Sequence, residues 1–132
     1  MNCLDNAFLI DFLDPEAAHH KQAVAWMEAN RDGELAVPVI CAFEVVRGVS
    51  RADEERSKRA VGLIRTFSVL DLLLPMVLAA GNLDNRLHED GVPLSARETL
   101  VATPVVEHGG RLVTRDRYFE PIDRMDVVFY DE

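Results

Sequence analysis

Apolar and polar residues alternate along this chain in blocks of two lengths. Short apolar runs over Met1 to Asp5, Leu35 to Val39, Phe67 to Leu70, Leu112 to Thr114 and Val127 to Tyr130 are too brief for helices and read as five strands. The first ends in an acid, which suits a buried parallel strand whose last residue emerges at the sheet edge. Longer segments between the runs carry helical spacing. A short helical turn is predicted over Phe8 to Leu13. A helix should then run from Pro15 to Asn30, with Ala18, Gln22, Ala25 and Ala29, or Val24 and Met27, supplying its apolar contacts and Gly33 as a stop. Ile40 to Val49 carries Phe43, Val46 and Arg47 at helical spacing, and Asp53 to Thr66 is charged and amphipathic with Ala60, Val61 and Ile64 facing inward. Pro75 to Glu89 is a helix stopped by Gly91 and Pro93, and Ser95 to His108 is one stopped by Gly109 and Gly110. Strands alternating with helices predict a three-layer α/β/α fold, with a mostly parallel five-stranded sheet joined by right-handed crossovers.

The chain has 132 residues, enough for one domain over positions 1–132 with a real core and no need of disulfides. Its longest apolar run, Val69 to Ala80, is interrupted by Asp71 and Pro75 and falls short of the ~18 residues of a membrane span. No basic region or cleavage site of a signal peptide stands at the start, so a cytoplasmic protein is expected. Cys3 and Cys41 lack metal-ligand or redox spacing and read as reduced, packed thiols.

Charge changes the picture more. Asp and Glu number 23 against 14 Lys and Arg, a net charge of -9, and Lys21 and Lys58 are the only lysines. A salt-adapted, halophilic organism makes such surfaces, and so does an ordinary acidic cytoplasmic protein. Nucleic acid should be repelled by this polyanion unless metal ions and local arginines reverse the field.

In parallel sheets ligands bind beyond the carboxyl ends of the strands. Asp5 ends the first strand and Asp116 follows the fourth, so both acids should project from one edge. Glu44, one turn into the helix after the second strand, and Glu98, near the start of a later helix, can join them. Hard divalent cations such as Mg²⁺ or Mn²⁺ take oxygen ligands of this kind. Each acid also has a plain structural use. Glu44 can pair with Arg47 at i+3, Ser95 and Glu98 form a capping box, Asp116 can be a turn residue, and Thr114 can be strand packing. Arg47, Arg97, Arg115 and Arg117 lie beside the acids and suit phosphate oxygens, or make surface pairs. His19 and His20 diverge by about 100° on a helix, a poor arrangement for one metal. His88 and His108 fit helix C-termini, and Trp26 reads as packing or dimer surface.

Four segments in order, Cys3-Leu4-Asp5-Asn6 with Leu9-Ile10-Asp11, Phe43-Glu44-Val45-Val46-Arg47-Gly48, Glu98-Thr99-Leu100-Val101-Ala102, and Leu112-Val113-Thr114-Arg115-Asp116-Arg117-Tyr118-Phe119, resemble the PIN-domain family and, within it, the VapC toxins. The resemblance covers nearly the whole chain. It implies a PIN-like fold and an endoribonuclease that hydrolyses RNA with Mg²⁺ or Mn²⁺, often a homodimer, restrained by a cognate antitoxin. By position, Asp5, Glu44, Glu98 and Asp116 would be the metal-binding and catalytic acids, with Thr114 orienting a ligand or water. The sequence departs from the family pattern at Ala7, where a polar residue is usual, at Glu98, where aspartate is usual, and at Thr103-Pro104, where small residues are usual and a kink is expected. These departures leave a second reading open, a catalytically degenerate PIN domain that binds protein or RNA.

Overall fold

In the computed structural model, which describes residues 1–51, 53–120 and 122–132, five strands are β1 (Asn2–Leu4), β2 (Leu35–Pro38), β3 (Ser68–Leu70), β4 (Arg111–Thr114) and β5 (Asp126–Phe129). Six α-helices connect them: α1 (Asn6–Leu13), α2 (His20–Asn30), α3 (Val39–Ser50), α4 (Glu54–Ile64), α5 (Leu74–Glu89) and α6 (Ala96–Glu107). All four strand pairings are parallel, in the order β3-β2-β1-β4-β5.

Neighbouring residues of a strand face opposite sides of a sheet. Cys3 and Leu4 are both fully buried, as are Leu112 and Val113, so helices cover both faces and the architecture is three-layered. Phe8 anchors one layer, meeting Trp26 edge-on at 5.3 Å between ring centroids and Tyr130 at 4.9 Å. Trp26 is therefore packing. Both cysteines are free and buried.

Element boundaries mostly fall within a residue or two of the sequence pattern, with one clear exception. The helix expected from Pro15 begins only at His20. Asp14 caps α1 and its Oδ1 accepts from the Glu16 N–H at 3.0 Å, turning the chain, and two further turns precede the helix. The inward residues of α2 are Ala23 and Met27, not Ala25 and Ala29, which are exposed. Similarly, Phe43 of α3 is exposed while Cys41 and Val45 are buried. α6 continues through Pro104 to Glu107, and the Thr103 hydroxyl donates to the Thr99 carbonyl at 2.7 Å.

Candidate functional site

Asp5 follows the last residue of the central strand. Its N–H donates to the Val113 carbonyl at 3.1 Å, extending the β1–β4 pairing by one bond, so the register sets it beside Thr114, the last residue of β4. The Thr114 hydroxyl donates to Asp5 Oδ2 at 2.6 Å and accepts from the Asp116 N–H at 3.0 Å. One side chain thus ties both acids to the sheet edge. Asp5 is 1% exposed, and its Oδ1 also caps α1 by accepting from the Asn6 N–H at 2.8 Å. Cys41 Sγ lies 3.4 Å from the same oxygen.

Asp116 caps a 3-10 turn, Arg117–Phe119, through the Tyr118 N–H at 2.9 Å. Partial burial raises its pKa against the pull of that N–H, and the negative charges of Glu98 and Asp5 raise it further, with Arg97 opposing. Three of the predicted acids therefore share one electrostatic neighbourhood.

Glu44 joins them through a residue other than the one expected. Arg47 stacks over the Phe43 ring at 5.2 Å from its centroid. Glu44 pairs instead with Arg97, whose Nη2 lies 2.7 Å from Oε1 and whose Nε lies 3.0 and 3.1 Å from the two carboxylate oxygens. Arg97 Nη2 also reaches Asn6 Oδ1 at 2.8 Å and Asp5 Oδ1 at 3.4 Å. Burial works against the guanidinium charge, but Glu44 and Asp5 outweigh it and hold Arg97 more firmly protonated than an ordinary arginine. Glu98 forms the capping box: it accepts from the Ser95 N–H at 3.0 Å while Ser95 Oγ accepts from the Glu98 N–H at 3.1 Å.

Asn6, Ala7, Arg97, Arg115, Asp116, Arg117 and Tyr118 line a cavity of about 580 Å³ beside these acids. Arg115 enters it from a buried anchor: its Nε lies 2.9 Å from Asp11 Oδ2, and the same oxygen accepts from the Tyr130 hydroxyl at 2.5 Å. Arg117 is braced by Asp131 at 3.1 and 3.2 Å and lies 4.0 Å over the Phe129 ring. Arg47 is not among the residues lining this cavity. Three of the four histidines bond to nearby carbonyls, His20 to Asp11, His88 to Asp84 and His108 to Pro104.

The sequence pattern put Asp5 and Asp116 at one edge, the family resemblance added Thr114, and neither gave a sign of Arg97 as the partner of Glu44. The pattern also passed over Asn6, Asp11, Cys41 and Tyr130. For Asn6 and Asp11 a signal was present, since both stand in the first motif segment; for Tyr130, at the end of the last apolar run, it was not.

Carboxylate oxygens on separate elements suit a hard divalent cation in kind. In arrangement, no three or more His, Cys, Asp or Glu side chains among the described residues form a group that could hold a metal ion. The cause is visible in the contacts. Arg97 bridges Glu44 and Asp5, and Glu98 is turned back to its own helix.

A family model for the PIN domain matches residues 3–125, and the chain belongs to that family. Its fold is similar to that of the VapBC2 complex of Rickettsia felis bound to a promoter DNA fragment (16% identity, TM-score 0.75, 96% of each chain covered). It is likewise similar to a toxin-antitoxin complex from Klebsiella pneumoniae (19%, 0.79, 98% of each) and to FitAcB from Neisseria gonorrhoeae (18%, 0.79, 98% of each). No curated protein matches the chain by sequence.

Proposed function

We propose that this chain is the toxin component of a VapC-type toxin-antitoxin pair, an endoribonuclease that hydrolyses RNA phosphodiesters with Mg²⁺ or Mn²⁺. The observation that carries the reading is the Thr114 hydroxyl holding Asp5 and Asp116 at one sheet edge, beside a cavity walled by arginines. Membership of the PIN family and the likeness to solved toxin-antitoxin complexes support it.

Asp5, Glu44, Glu98 and Asp116 would hold the cation only once Arg97 leaves Glu44 and Asp5 and Glu98 leaves its cap. When bound, such an ion supplies Lewis acidity at neutral pH and offsets phosphate charge. The rest falls to the chain itself. Thr114 fixes Asp5 and Asp116 relative to each other, and Arg115 and Arg117 face the phosphate backbone from positions set by Asp11 and Asp131. With a net charge of -9 over the whole chain, these cations are what lets a polyanion approach. Arg47, held over Phe43, is not part of this phosphate-binding wall.

The partners proposed are a cognate antitoxin and a second copy of the chain. Leu73, Leu74, Val77 and Leu78, at and after the start of α5, are 45–69% exposed, an apolar patch suited to the homodimer contact. A cytoplasmic location is part of the proposal; no helix among the described residues is long and apolar enough to cross a membrane.

One observation favours the second reading, a degenerate domain that binds but cuts poorly: Arg97 already satisfies two of the acids, and Glu98 is engaged as a cap. Incubation of total RNA with purified protein and Mn²⁺ or Mg²⁺, at low and high salt, with EDTA and Asp5→Asn controls, separates the two. Metal-dependent cutting that falls at least about 100-fold in Asp5→Asn is expected. A folded protein that cuts no RNA under any of these conditions would move the assignment to the binding module.

A further inference from the structure

The cation that this site holds belongs to the chain. Arg97 is the second residue of α6, where a positive charge faces the positive end of the helix and gains nothing locally. What orients it comes from 53 residues away: its guanidinium forks onto both oxygens of Glu44 and extends to Asn6 Oδ1 and Asp5 Oδ1. A planar fork matches a carboxylate in this way, whereas a divalent ion needs those same lone pairs. The two occupants exclude each other at Glu44. Arg97 also lines the cavity together with Arg115 and Arg117, and its side chain is 32% exposed.

We propose that Arg97 is a displaceable counter-ion: it neutralises Glu44 and Asp5 while no divalent ion is bound, competes with the ion for those carboxylates, and on release turns into the cavity to meet a phosphate. The inference rests on the metal-nuclease reading and adds an exchange of cations at its centre. Two properties follow. The resting fold does not depend on metal, because its inward acids are already paired. Its affinity for the ion is lower than the same carboxylates would give without the arginine, so the site loads only when divalent ion is plentiful or when phosphate draws Arg97 away.

Calorimetric titration of the purified protein with Mn²⁺, without RNA, tests this alongside thermal unfolding with and without the ion. Arg97→Gln should bind Mn²⁺ about tenfold or more tightly than the wild type. Without ion it should unfold at a lower temperature than the wild type, and saturating Mn²⁺ should raise that temperature by more than it raises the wild type's. Arg97→Lys keeps the charge but not the fork; it should fall between the two, and it carries the test if the glutamine variant does not fold. A folded variant that binds Mn²⁺ no more tightly than wild type overturns the proposal and leaves the metal reading standing, with Arg97 holding the acids in place for the ion. If none of the three proteins binds Mn²⁺ in a manner that Asp5→Asn abolishes, the metal reading fails, and the exchange with it.

Discussion

Removing the Asp11 carboxylate should cost stability through a bond that lies outside the acid cluster. Asp11 is 3% exposed, and one of its oxygens accepts from the Tyr130 hydroxyl and from Arg115 Nε at 2.9 Å. A hydrogen bond to a buried charge contributes about 1.5–3 kcal/mol. The Arg115 side chain is 40% exposed, so solvent screening limits that pair to about 0–1 kcal/mol. Asp11→Ala should therefore lose about 3 kcal/mol in all, and Tyr130→Phe, which keeps the ring against Phe8, about 1.5–3 kcal/mol. Urea unfolding at neutral pH with an unchanged m-value measures each loss. In the double variant the two should overlap by about 1.5–3 kcal/mol, because they delete the same bond. Additivity to within about 0.3 kcal/mol would refute the argument, since it would mean that hydroxyl and carboxylate stabilise the fold independently. The pH is part of the design. Burial and the Asp11 charge raise the Tyr130 phenol above its usual range, so its contribution is complete below the unfolded value near 10 and is lost as pH rises above it.

Two further outcomes are expected. Thr114→Val should lose about 2 kcal/mol and most RNA cleavage, because the Asp5 and Asp116 bonds go together, whereas Thr114→Ser should retain both; equal cleavage by the two variants would count against the tie. Burial pushes the Cys3 thiol up to about 11 from 9.0, so its stabilising term is present below pH 9 and is lost as pH rises through 11. This removes about 2–3 kcal/mol from the wild type over that window. In urea midpoints measured from neutral to alkaline pH, Cys3→Ala should decline less steeply than the wild type.

How much of this was written in the chain can be traced residue by residue. Strand lengths and the acid at position 5 follow from local pattern, and they are sufficient to put Asp5 and Asp116 at one edge of a parallel sheet, because that edge is a property of topology. Ser95 and Glu98 were legible as a cap because the contact spans three residues. The partner of Glu44 was not, because Arg47 at i+3 and Arg97 lying 53 positions away are equally good arginines, and only tertiary packing chooses between them. Arg47 lies instead over the Phe43 ring. The late start of α2 has a different cause: proline suits a first helical turn, but Asp14 competes for the Glu16 N–H and makes a turn of the same residues. Tyr130 was hidden because its hydroxyl bond to Asp11 spans 119 positions.

The tie between Asp5 and Thr114 spans 109 positions, and that separation is also an interval of time. A ribosome adding about 5–20 residues per second delivers Thr114 roughly 5–22 s after Asp5. During that interval the central strand lacks its β4 neighbour and the acid at its end lacks the hydroxyl that fixes it. Long-range pairing of parallel strands is intrinsically slow. The bond that fixes Asp5 is therefore absent until nearly the whole chain has been made.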